Sequence, residues 1–251
     1  MHKHAARVLA CGIALLGAWP AEAAPFVHRG LTLSRGTWEV GLGLGLARIP
    51  DNVGVGFNME LGVGLSSAFE LRVRTGLRVG TDGRALDADY FGRPVETETY
   101  NLGGDTLANP EIGIKWAFVR RGAVELGLDF RMILPVGSNL GLLFGLPLNL
   151  HFGRARIDTG IFVPIVFNEG DDDTAISIPL HILFDVSGGT YFGPITGIVF
   201  DGGDERVPLG LAIGSGVASG VDLRFWFLFP DISYSGAAKH FGAGVALYIL
   251  F

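Results

Sequence analysis

Cysteine is almost missing from this chain: Cys11 is the single one in 251 residues. A disulfide framework is therefore excluded. Charge is sparse as well, at 18% of residues, with a net charge of −6. No basic patch interleaved with aromatics occurs, so nucleic acid is not an expected partner. After residue 23 there is no apolar run of the kind that crosses a bilayer as a helix, which takes about 20 residues. Helices are disfavoured in general, because 39 glycines are spread along the chain and each interior glycine costs a helix about 1 kcal/mol. What is abundant is apolar side chains: 49% of residues, with a mean hydropathy of +0.41. That content has to be placed in strands.

The amino-terminal stretch is a different matter. Lys3 and Arg7 precede an apolar run over residues 8–19, and Ala21-Glu22-Ala23 follows as a small-x-small cleavage signal. This is the pattern of a secretory signal peptide, residues 1–23. Its removal would take away Cys11, which lies too early in the apolar run to be a lipidation site. Residues 24–36 read as a periplasmic lead-in, and residues 37–251 as one domain.

In that domain, period two is the dominant pattern. The last eleven residues put Phe241, Ala243, Val245, Leu247, Ile249 and Phe251 on one face, with Gly242, Gly244 and Ala246 on the other. Strict alternation means a β-strand with one apolar face. Residues 37–48 repeat it, with Trp38, Val40, Leu42, Leu44 and Leu46 against Glu39, Gly41, Gly43 and Gly45. Residues 69–79 set Phe69, Leu71, Val73, Leu77 and Val79 against Glu70, Arg72, Arg74, Gly76 and Arg78. Continued along the chain, the pattern predicts twelve strands. Short turns near Ser66, Arg121, Arg154, Gly188 and Val217 alternate with connections that include long polar ones, at residues 81–108, 168–173, 201–206 and 230–239. Most strands have the length a tilted strand needs to span a bilayer. The fold class predicted is all-β: a 12-stranded antiparallel up-and-down transmembrane β-barrel. An even strand number puts both ends on one side, expected to be periplasmic. The phase of residues 190–200 stays open.

The closing strand resembles that of bacterial outer-membrane β-barrel proteins, in which a terminal aromatic and the alternation before it are read by the barrel-assembly machinery. The resemblance assigns that signal to Phe251, Ile249 and Leu247. Ile249 departs from it, since an aromatic is common there. The implied localisation is the bacterial outer membrane, with outer-membrane lipids and lipopolysaccharide as neighbours. Acidic external loops could hold lipopolysaccharide through divalent cations.

Alternation also assigns the lumen. One sector carries Glu39, Glu60, Glu70, Arg72, Arg74, Arg78, Glu111, Lys115, Glu125, Asp129 and Arg131. Acids and bases are mixed, which fits either a salt-bridged ladder or a charged eyelet that selects solutes. The other sector is apolar, with Ile133, Leu143, Phe162 and Val166. Pro147, Pro164, Pro179, Pro194 and Pro208 fall in five consecutive strands, as bulges or as a weakened wall open to lateral exit. Glycines at the seam between the first and last strands predict that it is the roomiest part of the lumen.

Catalytic chemistry finds little support. Ser177 and His181 share a face but lie roughly 13 Å apart along a strand, beyond hydrogen-bond reach. His151 and His240 have no serine at useful spacing. Residues 169–173 are acidic but lack the spacing of a calcium loop. The Gly41–Gly45 alternation is followed by no helix and is not a dinucleotide fingerprint. No catalytic residue, metal or cofactor is expected.

Two segments, Leu33-Ser34-Arg35-Gly36-Thr37-Trp38-Glu39-Val40 and Pro110-Glu111-Ile112-Gly113-Ile114-Lys115-Trp116, resemble parts of outer-membrane transporters linked to uptake of phenolic and other hydrophobic compounds. With the apolar wall, this implies a porin-like channel for passive passage of small hydrophobic or aromatic solutes. A closed barrel with a structural or surface-binding role is the alternative reading, and an outer-membrane lipid hydrolase the third.

Overall fold

The structure, a computed structural model, describes residues 24–49, 52–79, 107–136, 140–167, 173–233 and 237–251. The signal-peptide stretch 1–23, most of the long connection 81–108, and the acidic residues 168–172 lie outside these.

The strands are β1 (Trp38–Ile49), β2 (Asn52–Gly64), β3 (Phe69–Val79), β4 (Leu107–Arg121), β5 (Val124–Ile133), β6 (Gly141–Phe152) and β7 (Ala155–Val166). They continue as β8 (Asp173–Ser187), β9 (Thr190–Asp201), β10 (Asp204–Arg206), β11 (Leu209–Ala218), β12 (Val221–Phe229) and β13 (Phe241–Leu250). Neighbours pair antiparallel in one sheet, β13 pairs with β1, and β8 pairs with β9 to complete the ring. β10 and β11 are one strand in a single register on β9, since Arg206 pairs with Val199 and Leu209 with Thr196. The gap falls at Val207 and Pro208, where proline has no N–H to give the ladder. The fold is thus a closed twelve-stranded antiparallel barrel without edges.

Lipid-type outside and packed inside explain the alternation. Leu42, Leu44, Met59, Leu61, Ile114, Phe130, Phe144, Ile161, Ile178 and Phe225 are exposed on the outer face. Their strand neighbours Glu60, Asp129, Leu143, Phe162 and Ser177 are buried on the inner face. Closure is hydrogen-bonded to the last residue: Trp38 N–H donates to the Phe251 carbonyl at 2.8 Å, and Phe251 N–H to the Trp38 carbonyl at 3.0 Å. We call the rim where these two residues meet the near rim. Phe251, Ile249 and Leu247 lie on the outward phase of β13, each half-buried.

Several boundaries and faces differ from the sequence reading. Residues 201–206 are not an acidic loop but a tight hairpin around Gly202 and Gly203, both at positive φ (59° and 103°). Such a turn matches the strand twist. Residues 215–218, read as turn, continue β11, and β4 begins earlier than alternation placed it. The phase of β9 is settled: Tyr191, Ile195 and Val199 are buried inside, while Phe192, Ile198 and Phe200 are exposed outside.

The prolines mark neither bulges nor an opening. Register shifts occur at Arg74/Gly76, opposite Asn109 and Pro110, and at Ala117/Val119, Asp185/Ser187 and Gly216/Ala218, none of them at one of these five prolines. The β6–β7, β7–β8 and β9–β11 pairs each keep one register, and β8 keeps one register on β9 from Ala175 to Asp185, past Pro179 and Pro194. Pro147 pairs with Gly160 and Pro179 with Gly197. A Cβ on Gly197 would sit 2.9 Å from the Pro179 Cα and 2.6 Å from the Ile178 carbonyl oxygen. Proline is tolerated here because a glycine opposite leaves it room.

The roomy seam is also overturned. Gly41, Gly43 and Gly45 do face Tyr248, Ala246 and Gly244 across β1 and β13. Yet a Cβ on Gly244 would lie 2.3 Å from the Trp226 indole, and one on Gly41 would lie 2.8 Å from the Tyr248 ring. The glycines are sockets for bulky inward side chains. The same pairing sets Tyr191 opposite Gly214 and Phe162 opposite Gly145. Four inward aromatics thus each lie against a glycine directly across the ladder, an arrangement that lets a ring cover the neighbouring bare backbone.

Candidate functional site: a plugged lumen

Residues 24–36 do not stay outside the barrel. They run into the near end of the lumen, through a short turn of helix at Phe26–His28 and an irregular stretch with a turn at Arg35-Gly36, and dock on inward side chains. Gly36 N–H donates to the Gly64 carbonyl at 2.7 Å, and Gly64 N–H to the Thr37 carbonyl at 2.9 Å. A Cβ on Gly64 would meet the Ser34 carbonyl oxygen at 2.0 Å, so only glycine allows this approach. Leu31 and Leu33 sit over Gly127 and Gly62 in the same way, at 2.8 and 3.1 Å.

The charged sector holds this plug. Arg29 pairs with Glu39 at 3.0 Å and with Asp222. Glu70 accepts the Leu33 N–H at 2.8 Å, and Glu125 accepts that of Leu31. Thr32 Oγ1 donates to the Ser67 carbonyl at 3.0 Å. Arg156 donates to the carbonyls of Phe26 (2.5 Å) and Arg29 (3.0 Å). His28 contacts Asp185 at 2.8 Å. Burial lowers the Arg29 guanidinium from its usual pKa, although Asp222 and Glu39 pull it the other way.

Behind the plug the remaining charges are paired with each other. Arg72 is a hub, touching Glu39 at 3.0 Å, Glu70 at 2.8 Å, and Glu60. Arg131 bonds Asp129 at 3.0 Å and lies 3.9 Å from Glu111. Arg120 bonds Glu125 at 2.8 Å. Arg156 is fixed by Asp158 at 2.7 Å, and Asp158 by Asn149 at 2.8 Å. Buried ions need such partners, because desolvating each costs several kcal/mol. Lys115 is half-buried, with Glu70 and Asp129 opposite it on the two neighbouring strands. Arg74 is buried and pairs across the ladder with Glu60 and Glu111. The Arg78 side chain lies outside the described part.

The apolar sector stands on the inner face further from the near rim. Ile133, Leu143, Phe162, Ile195, Val199 and Leu228 are buried there, and Val166 is half-buried, whereas the buried Leu183 lies nearer the near rim, paired with Arg156. Between plug and charged belt lies a cavity of about 440 Å³, lined by Phe26, Leu31, Arg72, Lys115, Arg131, Pro147 and Arg224 among others. Ser177 and His181 are both buried on the inner face of β8, with His151 half-buried at the near rim. Among the described residues, no group of three or more His, Cys, Asp or Glu side chains gathers to hold a metal ion.

Sequence reasoning did not include Phe26, Arg29, Asp222, Arg224, Tyr191 and Arg156 in the site. One signal was available. Inward positions nearest the near rim carry Glu39, Glu60, Glu70, Glu125, Asp158, Asp185 and Asp222 against fewer bases, and Arg29 and His28 in the adjoining segment supply the balance.

No family model matches the chain, and no curated protein matches it. Solved structures do. An outer-membrane channel from Pseudomonas putida F1 superposes with a TM-score of 0.63 at 11% identity, covering 92% of this chain and 100% of that one. The translocator domain of the autotransporter NalP from Neisseria meningitidis gives 0.50 at 9% identity, covering 99% of this chain and 97% of that one. At such identities the likeness concerns the fold, which is that of bacterial outer-membrane β-barrels.

Proposed function

We propose that this protein is a channel of the bacterial outer membrane that passes small hydrophobic or aromatic solutes, with residues 24–36 as its plug, and that it is not an enzyme. The observation that carries the reading is the division of the lumen. A wall of Leu143, Phe162, Ile195 and Val199 lies beyond a belt of charges in which Arg72, Arg131 and Arg156 are each paired with acids. Polar solutes gain nothing from such a wall, whereas apolar ones do. The fold shared with a Pseudomonas putida outer-membrane channel fits this reading. In the same reading, lipid and lipopolysaccharide surround the exposed apolar belt, and the barrel-assembly machinery reads Phe251 with Ile249 and Leu247.

The plug supports a second reading, a closed barrel with a structural or surface-binding role. Arg29, Leu31, Leu33 and Phe26 are all bonded or packed inside. Planar-bilayer conductance of the purified protein separates the two. A channel shows discrete current steps that grow when the Arg29 contacts are removed by Arg29→Ala. A closed barrel shows none in either form.

A further inference from the structure

Phe26 is held in an unusual way. The Arg156 Cζ lies 4.1 Å from its ring centroid and the Arg224 Cζ 3.8 Å. Tyr191 packs beside it, at 5.8 Å between centroids and 43° between planes. Two cations and one phenyl ring form a cation–π contact of the kind that selects a flat aromatic face over an aliphatic group of equal size.

The slot does not depend on Phe26 for its shape. Asp158 fixes the Arg156 guanidinium at 2.7 Å, and Asn149 fixes Asp158 at 2.8 Å. The Arg224 guanidinium rests on the Tyr248 ring at 3.8 Å. These partners all belong to barrel strands, so both arginines stay in place when the plug segment leaves. Preorganisation of that kind removes much of the ordering cost of binding. Departure of the segment also releases the Arg156 N–H groups that Phe26 and Arg29 carbonyls now occupy.

We propose that Arg156, Arg224 and Tyr191 form a binding site for a small planar aromatic bearing an acceptor oxygen, and that Phe26 occupies it as an internal mimic. The ring takes the place of the Phe26 phenyl, and the oxygen takes the donors freed on Arg156. This inference rests on the channel reading and names the class of solute within it.

The test is equilibrium binding by calorimetry on the full chain in detergent, with benzoate as probe and cyclohexanecarboxylate as a control of equal charge without a π face. Phe26→Ala, in a segment outside the strands, should bind benzoate at least tenfold more tightly than the wild type. It should prefer benzoate over cyclohexanecarboxylate by tenfold or more. Arg156→Lys or Arg224→Lys, added to Phe26→Ala, should lose at least tenfold. Equal binding of the two acids, equal binding by wild type and Phe26→Ala, or no saturable binding by Phe26→Ala would overturn the proposal. The ratio between the acids is measured on Phe26→Ala alone, so it stands even if an arginine variant does not fold. Current steps in a bilayer with no benzoate preference would sink this site while leaving the channel reading intact.

Discussion

Trp226 lies flat on Gly244, its partner across the β12–β13 ladder, so close that a Cβ on the glycine would sit 2.3 Å from the indole. Gly244→Val should therefore force the indole off its seat or bend the closing strand. Overpacking of this kind costs about 1–3 kcal/mol. The folded barrel should convert to its slow-migrating unfolded form on gels at a lower temperature than the wild type. The same change at Gly36, where nothing lies within 4 Å of an added Cβ, meets no neighbour and separates crowding from backbone strain at positive φ.

Arg72 neutralisation is expected to act on stability rather than on ion selectivity. Its guanidinium contacts Glu39, Glu60 and Glu70. Arg72→Met would leave three carboxylates around a missing cation. Removing one partner of a buried ion pair costs on the order of 3 kcal/mol. Denaturant titration of the refolded barrel should show that loss, and the double variant Arg72→Met/Glu60→Gln should recover part of it.

Solute should pass along the lumen and not through the β8–β9 wall. Ile178 and Ile198 are directly paired there, both exposed on the outer face. Cysteines at the two positions, in a Cys11→Ser background, should lock the strands together on oxidation. Uptake should be the same in the oxidised and reduced forms. A drop on oxidation would restore the lateral route that the constant register from Ala175 to Asp185 argues against.

Asp231 gives a pH dependence with a defined sign. Burial raises its pKa, but hydrogen bonds from Ser233 and from the Val207 N–H outweigh this and hold the carboxyl below its ordinary value. A depressed folded-state pKa stabilises the loop above the unfolded value of about 3.9 and loses that contribution as pH falls through the folded value. Carboxyl-carbon NMR should place the Asp231 midpoint below about 3.9, and Val207→Pro, which deletes one donor, should move it upward.

The barrel was legible in the sequence because its outer face has a single requirement. Leu42 and Leu44 must be apolar while Gly41 and Gly43 need not be, and period two reports that directly. The lumen was legible only in part. Alternation assigned Glu39 and Phe162 to the inside, but it carries no register. Without register, Gly244 reads as space, and only its pairing with Trp226 shows it to be a socket. Pro179 likewise reads as a break until Gly197 is seen opposite. The plug was missed for a related reason: residues 24–36 have no periodicity of their own. Their placement depends on Arg29 meeting Glu39 and Asp222, residues brought together from opposite ends of the barrel sequence by closure.

The most direct test of a plugged aromatic channel is uptake of N-phenyl-1-naphthylamine by cells whose lipopolysaccharide otherwise excludes it. The cells would carry the wild type, Arg29→Ala, or no barrel. Arg29 makes two ion pairs with the lumen, and losing charge-assisted bonds worth about 1.5–3 kcal/mol each should shift the plug strongly outward. The expected order is Arg29→Ala fastest, wild type intermediate, and no barrel slowest, at equal amounts of folded protein. Equal rates in all three would contradict a conducting lumen, and a wild type that already matches Arg29→Ala would contradict the plug.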